Sequence, residues 1–314
     1  MLINLNEYNY YLPEELIALR PRKVRSRSKI LIGTNSTMAE SVVANLPSFL
    51  EPGDLLVFNN TKVIPARLIG VRRSRTEFGK DCKVSATLLN ETSPGVWSAL
   101  IKPKKRLVEG DVIEFYKENQ KELLRATVLK KDNHSIFLDF KVPRNHLLTK
   151  LAKIGHMPIP PYVEKKRGLE DSDHLNYQSI FGVEEGAVAA PTASLHFDQA
   201  LFTALEKRGV NTAFITLHVG TGTFLPLSDQ QLFEQKLHEE FGKITKEVAA
   251  KINDTKKRGR RVVAIGTTVL RLLETAAEDD GFVKEFNSFT DLMIVPGYSF
   301  KICDMLLTNF HLPK

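Results

Sequence analysis

GAVAAPTASLHFDQALFTALEKRGVNTAFITLHVGTGTF, residues 186–224, contains in order a turn of small residues, a helix, a strand and a glycine-rich loop. Asp198 is a predicted N-cap, Leu201, Phe202 and Leu205 share one helical face, and Gly209 is a C′ residue. The β-rich run Val210–Val219 follows and ends in Gly220-Thr221-Gly222-Thr223. Two loops therefore flank one helix and one strand, each with a histidine beside small residues: His196 with Thr192, and His218 with Gly220. Glycines and alanines admit a ligand close to the backbone, and a histidine can move a proton near neutral pH. A small-molecule site fits that composition; so does a tight turn with two core histidines.

Downstream, the spacing predicts a helix over Lys243–Lys257, a strand over Arg261–Ile265, a helix over Thr267–Ala277 capped by Thr267-Thr268, and a strand over Leu292–Val295. Such alternation favours a mainly parallel sheet with covering helices. Ligands of open α/β sheets bind at the carboxyl ends of strands, here His218–Gly222 and Gly266–Thr268. Upstream, the pattern changes. Arg67–Arg72, Lys83–Leu89, Val96–Ile101, Asp111–Tyr116, Leu124–Leu129 and Ser135–Phe140 are short β-type runs at regular spacing, with Trp97 as core anchor. They predict a small antiparallel β-barrel or sandwich. A helix over His146–Ile154 and an extended, proline-stiffened connector over Met157–Val163 follow. Nearer the start, a helix is expected over Pro13–Arg20, and strands over Ile30–Ile32 and Leu55–Phe58. Asn59-Asn60-Thr61, after a buried-looking strand, could cap or bind something, but reads first as a plain Asx-turn.

At 314 residues the chain can build one large or two ordinary domains, and no apolar run approaches the roughly 20 residues of a membrane helix. MLINLNEYNYYLPEEL lacks the pattern of a secretory signal. Cys82 and Cys303 stand far apart, which suits a reducing, cytoplasmic setting. The net charge of +7 is clustered. Arg20, Arg22, Lys23, Arg25, Arg27 and Lys29 form one acid-free run; Lys102, Lys104, Lys105 and Arg106 a second; Lys256, Lys257, Arg258, Arg260 and Arg261 a third. Three such runs point to a polyanion, with Arg22, Lys23, Arg25, Arg27, Lys104 and Lys105 as candidate nucleic-acid contacts.

Several chemistries find no support. His196, His218, His238 and His311 show no metal-ligand spacing, so no metal is expected. No G-x-S-x-G elbow and no P-loop occur, and the Gly220–Leu225 loop lacks the third glycine of a dinucleotide fingerprint. What remains suits proton abstraction and binding of a charged small molecule: the histidines, Glu240, Asp304, Arg271 and two glycine-rich loops.

YLPEELIA (11–18), EPGDLLVFNNTKVIPARL (51–68), GHMPIPPYV (155–163), YQSIF (177–181), GAVAAPTASLHF (186–197), TLHVGTGTF (216–224), GTTVLRLLE (266–274), PGYSF (296–300) and TNFHLPK (308–314) occur in that order. Together they resemble the S-adenosylmethionine:tRNA ribosyltransferase-isomerases of bacterial queuosine biosynthesis, over nearly the whole chain. The resemblance implies an α/β catalytic domain, residues 1–68 and 155–314, interrupted by a β-barrel domain, residues 69–154. It implies transfer and isomerisation of the ribosyl part of S-adenosylmethionine onto 7-aminomethyl-7-deazaguanine at the tRNA wobble position, with release of adenine and methionine. S-adenosylmethionine is then a consumed cosubstrate, no cofactor is bound, and the protein is a cytoplasmic monomer. His196, His218 and Glu240 are the expected catalytic residues; Thr192, Gly220, Gly222, Thr223, Arg271, Asn309 and His311 are expected to bind substrate. Asn60, Ser194 and Gln235 depart from the family's usual Asp, Gly and His. Family members also continue past NFHLPK with a further helix, so a catalytically impaired, truncated tRNA-binding remnant is the alternative expectation.

Overall fold

The computed structural model describes residues 4–34, 36–118, 120–132, 135–220 and 227–313. The chain divides into two compact units. One comprises Met1–Lys62, Asn176–Glu185 and Ala190–Lys314; the other comprises Val63–Leu175 and Gly186–Ala189.

The first unit is built on a six-stranded sheet in the order Phe286–Leu292, Lys236–Ile244, Asn211–Leu217, Leu55–Asn59, Val262–Ile265, Met305–Leu307. The last four run parallel to one another, and Lys236–Ile244 alone runs against the rest, pairing antiparallel with both of its neighbours, so the sheet is mixed with a parallel majority. Leu55–Asn59 sits in the middle and is buried at every position, as a strand covered on both faces must be. Leu56 and Phe58 on one of its faces pack with Val43, Leu46, Leu50, Phe197, Leu201 and Leu205. The Phe58 ring lies 4.9 Å from Phe197, edge to face, and 4.5 Å from Phe181. The helix Gln199–Lys207 begins as its sequence predicts: Asp198 accepts a hydrogen bond from the Leu201 amide at 3.0 Å. It ends before Gly209, whose φ of +78° needs the missing side chain.

Four local expectations are corrected in this unit. Pro13–Arg20 forms only a short 3-10 turn, Glu14–Leu16, because its apolar residues Leu16–Leu19 run consecutively instead of sharing one helical face, and Pro21 disfavours helix at Arg20. The charged run Lys236–Ile244 is a strand, and the helix begins only at Lys246, capped by Thr245. The strand expected at Leu292–Val295 lies earlier, at Phe286–Leu292. Neither Thr267 nor Thr268 caps the helix Thr267–Ala276; Gly266 holds that position at φ +100°.

The second unit contains a closed antiparallel barrel of six strands: Arg67–Arg72, Cys82–Ser93, Val96–Lys102, Val112–Tyr116, Leu123–Lys131 and Ile136–Asp139. Inward and outward residues alternate along Cys82–Leu88, as one filled face requires. Trp97 is 1% exposed, in the anchoring role its uniqueness suggests. The expected connector Met157–Val163 is extended only to Pro160. Pro161 opens a helix, Pro161–Arg167, because a proline at the first helical position gives up an amide that would be unpaired anyway.

Candidate functional site

Because four strands of the first unit run parallel, their carboxyl ends fall along one sheet edge. Register places Asn59 beside Ile215, Val57 beside Ala264, and Ile265 beside Leu307. Asn59, the last residue of the central strand, is fully buried. Its Nδ2 donates to the Leu217 carbonyl at 2.8 Å, and its Oδ1 accepts from the Leu217 amide at 3.1 Å and the Thr61 amide at 3.0 Å. The expected Asx-turn is thus present, and the same carboxamide ties the end of the neighbouring strand. Thr61, held by that turn, places its Oγ1 2.8 Å from His218 Nδ1. Asn59 Nδ2 also lies 3.4 Å from Thr268 Oγ1, at the start of the helix after Val262–Ile265.

Two residues beyond His218, the Gly220 amide donates to Glu240 Oε1 at 2.9 Å. Glu240 Oε2 pairs with Arg271 Nη1, and Arg271 Nε donates to the Leu292 carbonyl at 2.8 Å. Both ionised side chains are largely buried, where an unpaired charge would be costly. Glu240 reaches this edge on an antiparallel strand, with the Phe241 carbonyl accepting from the His218 amide at 3.0 Å. A third group lies on the short turn Thr192–His196. His196 Nε2 donates to Asn309 Oδ1 at 2.7 Å, just past the strand Met305–Leu307. Ala193 of the same turn packs on Gly266, where an added Cβ would sit 3.5 Å from the Ala193 methyl.

Hydrogen bonding therefore gathers His218 with Thr61, Gly220 with Glu240 and Arg271, and His196 with Asn309. Thr192 is exposed on its turn. His311 is exposed too, and its carbonyl accepts from the Tyr10 hydroxyl. Gly222 and Thr223 lie outside the described residues. Two asparagines and a threonine closing an apolar strand signal capping or binding as well as an Asx-turn, and the structure puts Asn59 and Thr61 in the framework of the site. Ser194 is fully buried with its hydroxyl unpartnered, and Gln235 adopts a left-handed conformation at φ +54°.

Glu274, buried on the helix Thr267–Ala276, accepts from the amides of Lys301, Ile302 and Cys303 and from the Tyr298 hydroxyl. Burial, then the Glu274 charge, pushes the Tyr298 hydroxyl up to about 12 and raises the Cys303 thiol as well. Both stay protonated at neutral pH.

Among the basic runs, Arg22, Lys23 and Arg27 are exposed. Arg25 is half-buried, and its Nη1 donates to the Gln178 carbonyl at 3.0 Å. Desolvation lowers its pKa against the raising effect of Asp198. In the barrel unit Lys105 is exposed, while the Lys104 ammonium donates to the Asp132 carbonyl. The third run is largely neutralised: Lys256 pairs with Asp304, Arg258 with Asp254, Arg260 with Glu51 and Arg261 with Asp54. Among the described residues no group of three or more His, Cys, Asp or Glu gathers as a metal site, and no helix is long and apolar enough to cross a membrane.

The model of the queuosine biosynthesis protein family matches residues 5–314. The chain is 43% identical to the S-adenosylmethionine:tRNA ribosyltransferase-isomerase of Caulobacter vibrioides, over 99% of this chain and 88% of that protein. It is 45% identical to the protein of the same name from Mesorhizobium japonicum, over 98% of this chain and 86% of that one. A crystal structure of S-adenosylmethionine tRNA ribosyltransferase from Thermotoga maritima is similar at 30% identity and a TM-score of 0.49, covering 98% of this chain and 86% of that one.

Proposed function

The chain belongs to the queuosine biosynthesis protein family, and from that premise we propose that it is an S-adenosylmethionine:tRNA ribosyltransferase-isomerase. In this reading it moves the ribosyl part of S-adenosylmethionine onto the aminomethyl group of 7-aminomethyl-7-deazaguanine at the tRNA wobble position. Epoxyqueuosine-tRNA, adenine and methionine are the products, and the enzyme is a cytoplasmic monomer. The observation that carries the reading is the gathering of His218–Thr61, Gly220–Glu240–Arg271 and His196–Asn309 along one carboxyl edge of the sheet.

A sulfonium acidifies the adjacent 5′ carbon of the ribosyl group. A base removes a proton there, and the electron pair so released drives expulsion of adenine, which takes up a proton as it leaves. The tRNA amine then attacks the sugar, and epoxide closure breaks the carbon–sulfur bond to free methionine. His218 is suited to the first step. The Thr61 hydroxyl lies 3.5 Å from the Glu184 carbonyl; donating there, it leaves its oxygen to accept from His218 Nδ1–H. That tautomer puts the basic lone pair on Nε2. His196, donating from Nε2 to Asn309, is the second proton carrier, and as imidazolium it would protonate the departing base. Arg271 and Glu240 fix the Gly220 turn and orient the substrate, together with Thr192, Gly222, Thr223, Asn309 and His311. Consumed S-adenosylmethionine is the one small-molecule requirement.

The test is release of adenine from S-adenosylmethionine in the presence of tRNA carrying 7-aminomethyl-7-deazaguanine. The unaltered chain should release it, and His218→Ala should slow release by roughly 10²–10⁴-fold, the worth of a general base, with tRNA affinity unchanged. Tight tRNA binding without adenine release would instead identify a binding remnant. Neither binding nor release would defeat the assignment.

A further inference from the structure

The N-terminal segment carries three closely spaced tyrosines that the fold does not bury. Tyr8 and Tyr10 are about half exposed and Tyr11 is 88% exposed. Between the 3-10 turns Leu5–Tyr8 and Glu14–Leu16 the chain is extended, with ψ near +130° at both Asn9 and Pro13. Successive side chains of an extended segment point to opposite sides. Tyr10 turns toward the C-terminal segment, and its hydroxyl donates to the His311 carbonyl. Tyr11 is therefore presented outward, on a segment strapped two residues from Asn309, the partner of His196. Phe310, between those two residues, is 85% exposed.

We infer that Tyr11, with Phe310 beside the same strap, is a stacking platform for unpaired bases of the RNA loop that enters the site. This inference rests on the function proposed above. The chemistry favours RNA bases over phosphates at this spot, because the exposed Glu7 and Glu15 flank the tyrosines and repel a backbone. Phosphate attraction belongs to the exposed Arg22, Lys23 and Arg27, further along the chain. Single-stranded RNA is commonly held by this division of labour, with aromatic faces taking splayed bases and cations taking the backbone. Placed beside the His196 group, the platform would hold the nucleotides next to the one being modified.

The experiment measures Kd for a tRNA transcript and for a fully paired RNA duplex at several salt concentrations, using the full chain, Tyr11→Ala, Tyr11→Phe and Phe310→Ala. Tyr11→Ala should weaken tRNA binding roughly 5- to 100-fold, the range for loss of one base stack, with an unchanged salt slope. Tyr11→Phe should bind as the unaltered chain does, and duplex affinity should be indifferent to all three changes. Equal tRNA affinity of Tyr11→Ala and the unaltered chain would overturn the platform, as would a Tyr11→Phe loss as large as that of Tyr11→Ala. Sedimentation showing a dimer that Tyr11→Ala dissociates would overturn it in favour of a protein interface. Failure of the unaltered chain to bind tRNA would instead overturn the proposed function.

Discussion

Asn59 shows how much one neutral side chain can organise. It satisfies both backbone groups of Leu217 and the amide of Thr61, all buried or nearly so, without bringing a charge into the sheet. Asn59→Leu would leave those three groups unpaired, at about 1–3 kcal/mol each before relaxation. Urea unfolding should show a loss of about 2–5 kcal/mol, and a loss below about 0.5 kcal/mol would refute the staple. Asp54 is the charged counterpart. Buried at the start of the central strand, it accepts from the Glu51 amide at 2.8 Å and from the Arg261 guanidinium. Burial raises its pKa, but the Arg261 hydrogen bonds and charge outweigh that and hold it below the usual carboxylate range. A depressed folded pKa stabilises above the unfolded value, near 4, and that stabilisation is lost as pH falls through the folded value. Asp54→Asn should therefore cost about 1–3 kcal/mol at pH 7, Arg261 being partly hydrated, and the difference should shrink at pH 3.

The elements divide by how plainly their sequences announce them. Barrel strands were legible because alternation and turn residues act locally, and Arg67–Arg72 and Val96–Ile101 needed almost no adjustment. Leu55–Phe58 was legible as a continuous apolar run. Lys236–Ile244 was not, since KLHEEFGKI carries four charged residues and a histidine in nine positions and becomes a strand through pairing with Phe286–Leu292 and Asn211–Leu217. That hidden strand carries Glu240, so the residue type at the site was readable while its route there was not. The His218–Thr61 and His196–Asn309 contacts join residues more than 100 positions apart, which no local pattern encodes. Gly155 shows a tertiary demand that a motif merely hints at. At φ −77° its backbone suits any residue, yet a Cβ there would lie 2.0 Å from the Pro65 carbonyl oxygen and 2.7 Å from that of Leu151. Gly155→Ala should destabilise the chain by about 2 kcal/mol or more, because two backbone segments must move apart. Unchanged thermal unfolding would contradict this close approach.

For the molecule as a whole, the basic runs are not equivalent. Arg22, Lys23 and Arg27 are exposed, whereas Arg258 and Arg260 face Asp254 and Glu51. Replacing the first three by Ala should weaken tRNA binding and flatten the slope of log Kd against log salt by roughly 2, as fewer counterions are displaced. Replacing Arg258 and Arg260 should leave the slope nearly unaltered; equal effects of the two sets would refute the distinction. The chain order of the sheet has another consequence, during synthesis. The central strand Leu55–Asn59 emerges from the ribosome early, but its neighbours Asn211–Leu217 and Val262–Ile265 follow roughly 150 and 200 residues later. At about 5–20 residues per second, this apolar strand spends on the order of 10 s or more without either partner. The six barrel strands emerge consecutively within that interval and need only one another to close. The nascent chain thus completes its barrel while the middle of the six-stranded sheet is still bare, and LLVF is the segment a ribosome-associated chaperone would find to hold.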